Sequence, residues 1–116
     1  MDKRLIPLLP RVAKPARYTN QELNAQHKDW AATSVKVALA FPDIYDVGMG
    51  YLGYKILYAL VNARKDALAE RVYAPWVDMQ ALMEEHQIPL TSLESGSELT
   101  KFDLVGFTLQ YELSYT

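Results

Sequence analysis

Residues 34–41, SVKVALAF, constrain the fold of this chain more than any other segment. The run is rich in branched and aromatic residues, carries one charge near its start, and is closed by Pro42. It reads as a strand buried on both faces, and such a strand needs a covering layer on each side. The residues that follow supply those layers. A turn-rich loop, PDIYDVG, leads to Met49, Leu52, Ile56, Leu57 and Leu60 at helical spacing, with Lys55 and Asn62 opposite. This predicts a helix over about 49–64 with the aliphatic stripe as its core face. ERVYA then reads as a short second strand closed by Pro75. Asp78 lies near the start of the next helix, whose core face is Met79, Leu82 and Met83, while Glu84, Glu85 and Gln87 are solvated. Residues 88–93 read as a third strand, Ser95-Gly96-Ser97 as a loop, and DLVGFTL as a buried fourth strand.

Strands alternating with helices predict an α/β fold: a three-layer, mainly parallel, flavodoxin-like sheet with right-handed crossovers and strand order 2-1-3-4. The tail QYELSYT resembles the first turn of a further crossover helix, stopping before an apolar period develops. The sheet is therefore expected to be truncated at the carboxyl terminus; the alternative is a tail that frays. Residues 1–33 form no periodic element. Pro7, Pro10 and Pro15 forbid a continuous helix, so an extended arm is expected, packing Leu5, Ile6, Leu8, Leu9 and Trp30, with a short helix from Thr19 or Asn20 allowed by the Thr19–Glu22 capping box. The division is thus an arm over 1–33 and a partial α/β domain over 34–116.

Composition removes several classes of function. The net charge of −2 gives no electrostatic footprint for nucleic acid or an anionic membrane. The longest apolar stretch, residues 37–42, is strand-sized and far short of a membrane span. The basic, apolar start MDKRLIPLLPRV is broken by two prolines and lacks a small-residue cleavage site, so it is not a signal peptide and a cytoplasmic location is expected. With no cysteine the chain has no disulfide, no thiolate-held zinc, no Cys nucleophile and no ligand for an iron–sulfur cluster. His27 and His86 are isolated and read as structural or solvated. No catalytic set is legible around Ser92, Ser95 and Ser97, and no metal site is expected.

Candidate binding residues gather after the strands. Gly48-Met49-Gly50-Tyr51-Leu52-Gly53 matches G-x-G-x-x-G between a strand and a helix, a pattern that brings a pyrophosphate close to bare backbone. Its context is poor. Residues 42–47 separate it from the strand, and Ala74, Pro75 and Trp76 stand where a ribose-binding carboxylate belongs. A tight turn with close helix–sheet packing explains the glycines better. Asp43, Tyr45 and Asp46 occupy the loop after the first strand, where open parallel sheets bind ligands; turn initiation and a helix amino terminus are their structural roles. Phe41, Tyr45, Tyr51, Trp76, Tyr111 and Tyr115 form an aromatic rim at the same edge, suited to a flat cofactor or to a second domain.

Several blocks together carry a family resemblance. They are Leu8-Leu9-Pro10-Arg11-Val12 with Lys14-Pro15-Ala16-Arg17-Tyr18, Ala38-Leu39-Ala40-Phe41-Pro42-Asp43 with Tyr45 and Gly48-Met49, Leu52-Gly53 with Ile56-Leu57-Tyr58, Glu70-Arg71-Val72 with Ala74-Pro75-Trp76, and Gly106-Phe107-Thr108-Leu109-Gln110-Tyr111-Glu112-Leu113-Ser114-Tyr115. These resemble the opening of a family of large bacterial radical SAM proteins that begin with a B12-binding-like domain. The resemblance implies a cobalamin-binding-like module followed by a radical SAM barrel of the same polypeptide, which holds a [4Fe–4S] cluster and S-adenosylmethionine. Where cobalt-ligating relatives carry Asp-x-His-x-x-Gly, this chain has Asp46-Val47-Gly48, so no imidazole reaches cobalt there. Cobalamin bound without such a ligand, and a domain that has lost the cofactor, both remain open. The resemblance thus implies an accessory domain covering or shaping the active site, with Asp43, Tyr45, Asp46, Gly48, Gly50, Gly53, Trp76 and Tyr111 as the candidate cofactor-binding set and no catalytic residue of its own. The alternatives are a stand-alone nucleotide or phosphate binder and a pure protein-interaction domain.

Overall fold

In the computed structural model, which describes residues 1–110 and 112, the branched run becomes β1 (Val35–Phe41). It is the centre of a three-stranded parallel sheet with β2 (Ala67–Tyr73) on one side and β3 (Leu104–Phe107) on the other. Val35 to Phe41 lie opposite Ala67 to Tyr73, and Val37 to Ala40 lie opposite Leu104 to Phe107. Side-chain alternation divides β1. Val37, Leu39 and Phe41 enter one apolar cluster, and Ala38 and Ala40 enter another with Val72, Leu99, Phe102 and Val105. The arrangement is α/β with helices flanking a parallel sheet, in keeping with the flavodoxin-like expectation.

The helices are α1, a single turn over Tyr45–Gly48, α2 (Leu52–Ala63) and α3 (Val77–Glu85). The expected core of α3 forms: Met79, Leu82 and Met83 are buried against Leu5, Leu8 and Val12 of the arm. α2 turns the other way from its apolar pattern. Leu52, Ile56, Leu57 and Leu60 are exposed, and Tyr54, Tyr58 and Asn62 face the sheet. The buried residues win because each has a bonded polar tip. Tyr54 Oη donates to Leu39 O at 2.6 Å, Tyr58 Oη donates to Glu94 Oε1 at 3.1 Å, and Asn62 pairs with both N–H and C=O of Ala69 at 2.9 and 3.0 Å. Tyr54, Tyr58 and Asn62 are thus buried with no polar side-chain atom left unpaired.

The expected third strand does not form. Residues 88–93 form an isolated bridge between Thr91 and Glu98, and their one backbone bond to β2 runs from Leu93 N–H to Arg71 O at 2.8 Å. Pro89 removes a ladder donor, and the segment lies along the outer side of β2 instead. The arm is not extended either. Lys3–Arg11, Pro15–Tyr18 and Trp30–Ala32 are 3₁₀ segments. Three residues per turn align Arg4, Pro7 and Pro10 on one exposed ridge, so both missing donors face solvent while Leu5 and Leu8 turn inward. Asp2 caps the first segment, accepting from Arg4 N–H at 2.9 Å. No helix starts at Thr19 or Asn20, because Asn20 adopts a φ of 50°. Trp30 meets Phe102 edge-on at 5.1 Å, with Lys36 Nζ 5.3 Å from its ring centre. Among the described residues no helix is long and apolar enough to cross a membrane.

Candidate functional site

β1 and β2 deliver their carboxyl ends to the loops at 42–44 and 74–76, and the arm crosses that edge. Asp43 joins the two loops, its carbonyl accepting from Ala74 N–H at 3.0 Å. Asp46, at the start of α1, is gripped by Lys14 at 3.3 Å and Arg17 at 3.0 Å. The hydrogen bond from Arg17 holds its carboxyl below the usual range. Tyr45 donates its hydroxyl to Glu22 of the arm and meets Tyr73 edge-on at 5.3 Å. Burial, together with the Glu22 carboxylate, pushes the Tyr45 phenol well above its ordinary value. Trp76 is half-exposed, with the Arg17 guanidinium 5.5 Å from its ring centre and its backbone N–H donating to Tyr18 Oη at 3.2 Å.

The glycines divide. A Cβ on Gly48 would stand 2.5 Å from Tyr73 Cε1 and 2.9 Å from the Phe41 ring, so this position serves close helix–sheet packing. Gly50 meets nothing closer than 3.9 Å, and Gly53 meets nothing within 4 Å. Asp43, Tyr45, Asp46, Gly48 and Trp76 therefore sit together at the carboxyl edge, while Gly50 and Gly53 lie on the open approach to α2. Tyr111 and Tyr115 fall outside the described residues.

The hub of the region is a residue that the sequence pattern leaves unmarked. Arg71, on β2 and buried, donates Nε to Glu94 at 2.6 Å, Nη2 to Asn20 Oδ1 at 3.1 Å, and Nη1 to Glu22. Its guanidinium lies 4.9 Å from the Tyr58 ring centre. Glu94 also accepts from Arg71 N–H at 2.8 Å. Burial pushes Glu94 upward against the pull of Arg71, whereas Glu22, although partly desolvated, is held low by its bonds from Tyr45 and Arg71. The available signal was Glu70-Arg71 inside a strand: two adjacent charges that a sheet buries only when both are paired. Glu70 is indeed paired, accepting from Ser92 Oγ and Ser95 Oγ at 2.6 Å each.

Tyr73 has the one buried side-chain oxygen or nitrogen without a hydrogen-bond partner among the described residues, and burial pushes it up to about 12. It borders a cavity of about 40 Å³ shared with Arg17, Tyr18, Tyr45 and Met83. Among the described residues no group of three or more His, Cys, Asp or Glu could hold a metal ion. His86 Nδ1 lies 2.9 Å from Leu82 O at the end of α3, and His27 Nε2 lies 3.5 Å from Asn20 Nδ2.

The family described as "Radical SAM proteins, N-terminal" matches residues 53–116, more than half of the chain. No curated protein matches, and no solved structure matches.

Proposed function

Since the chain belongs to the family of amino-terminal domains of radical SAM proteins, we propose that it is an accessory domain whose carboxyl edge docks onto a radical SAM barrel of the same polypeptide and shapes its active site. The cluster and S-adenosylmethionine belong to that barrel, because 116 residues without cysteine offer the iron no thiolate. On this reading residues 34–116 form the docking domain, residues 1–33 brace its edge, and the protein is cytoplasmic.

The observation that carries the reading is the half-bare aromatic edge. Trp76 and Val77 are 46 % and 66 % exposed after β2, and Phe107 and Leu109 are 65 % and 48 % exposed at the end of β3. Large apolar groups gathered after strand ends are an interface composition. The candidate set supports a protein surface better than a corrinoid. Asp46 is already neutralised by two cations, Tyr45 is committed to Glu22, and Gly48 is filled by Phe41 and Tyr73. These residues offer cobalt no imidazole.

Hydrogen–deuterium exchange of this chain alone against the whole protein tests the proposal. Protection confined to 42–50, 74–78 and 107–109 in the whole protein is the expected result. Unchanged exchange at those loops would overturn it. Titrating hydroxocobalamin into the whole protein separates the corrinoid version: a visible-band shift that Asp46→Ala removes would place a corrinoid at this edge.

A further inference from the structure

Residues 20–28 of the arm run beside α2 and are fastened at both ends. Toward one end Asn20 and Glu22 take bonds from Arg71, and Glu22 takes a second from Tyr45. Toward the other, Gln26 N–H donates to Tyr58 Oη at 2.7 Å, and Lys28 Nζ donates to the carbonyls of Asn62, Arg64 and Ala67 at 2.5, 2.8 and 2.8 Å. Between these fastenings the chain stands away from the helix, with Leu23 wholly in solvent. Beneath it lies a groove of about 660 Å³, within the size range of small-molecule sites.

The groove has an uneven chemistry. Its floor is narrow and apolar, made by Ala59 and Ala63 with Met49 at one end. Glu22, its carboxylate, is already shared by Tyr45 and Arg71. The side chain of Lys55, its other cation, makes no hydrogen bond or ion pair among the described residues, although it lies close enough to Glu22 to favour that carboxylate's charge. Arg71 uses one bond from each of its three nitrogens to side chains, leaving a second N–H on each terminal nitrogen. Among the described residues the groove thus holds an ammonium without a partner, and no unpaired anion to answer it.

We propose that this groove binds a small organic anion, a carboxylate or a phosphate monoester with a flat or narrow apolar body, the anion on Lys55 and the body along Ala59 and Ala63. The site lies on the flank of α2 and meets the carboxyl edge only at Met49 and, through Glu22, at Tyr45. The fastened strap leaves little ordering to be done on binding.

Benzoate and phenyl phosphate are the probes, titrated into the ¹⁵N-labelled chain. Saturable amide shifts at 22–26 and 55–63 are expected with at least one of them. Shifts with phenyl phosphate alone assign a phosphate ester, and with benzoate alone a carboxylate. Lys55→Gln, at an exposed position, should weaken affinity about tenfold through the lost charge-assisted bond, and Ala59→Trp should abolish binding by filling the floor. Thermal unfolding confirms that both variants fold. No saturable shift with either probe, or affinity that Lys55→Gln leaves unchanged, overturns the proposal.

Discussion

β2 and β3 both pair with β1 in parallel, yet β2 is buried at six of its seven positions and β3 at none of its four. The outer side of β2 is closed by groups from two places, α2 and residues 93–94. Asn62 of α2 takes the peptide edge of Ala69, Glu94 takes the N–H of Arg71, and Leu93 N–H takes the Arg71 carbonyl. β3 carries Leu104 and Phe107 in solvent, and a Cβ on Gly106 would meet nothing within 4 Å. A sheet edge is a row of unpaired donors and acceptors, and side chains that imitate a strand end its growth as surely as a real one. The contrast teaches that, among the described residues, this sheet is finished on one side by side-chain chemistry and left able to accept backbone on the other.

The sharpest way to break the contrast is at the sealed edge. Arg71→Ala leaves Glu94 buried without its partner and should cost about 3–5 kcal/mol, read as a large drop in the urea midpoint. Asn62→Leu keeps the volume but orphans the N–H and C=O of Ala69, for about 1–3 kcal/mol; an unchanged midpoint would show that the edge is not sealed there. Acid should loosen the same edge through Glu22. Its folded pKa is depressed, so the stability it contributes is complete above the ordinary carboxylate pKa and is lost as pH falls through the lower folded value. Following thermal unfolding from neutral pH into acid should show that loss, and Glu22→Gln should remove it. The smallest effect belongs to the bare edge. Phe107→Thr should change the stability of this chain by no more than about 0.5 kcal/mol, and a larger loss would mean that β3 is covered after all.

The legible parts of the fold were those decided by local pattern. SVKVALAF became the central strand because a doubly buried strand announces itself in branched residues, and α3 buried Met79, Leu82 and Met83 because no competing face was apolar. α2 misled because two faces competed. The winning one depends on Leu39 O, Glu94 and the Ala69 peptide, none adjacent in sequence to the tyrosines and asparagine they satisfy. The strap was hidden for the same reason: Glu22, Gln26 and Lys28 look like surface residues until Arg71, Tyr58 and the end of α2 arrive. At the carboxyl edge, Asp43, Tyr45, Asp46, Gly48 and Trp76 were gathered by strand polarity alone, whereas their neutralisation by Lys14, Arg17 and Glu22 required the arm.

The two indoles have an optical consequence. Trp30 lies before the start of β1 against Phe102, and Trp76 lies past the end of β2 beneath Arg17. Parallel strands therefore place one fluorophore at each pole of the sheet. Covering the carboxyl edge should shift the Trp76 emission to the blue and leave that of Trp30 in place. The chain thus carries an intrinsic reporter of docking together with its own reference signal, and a single Trp30→Phe variant would isolate the reporter.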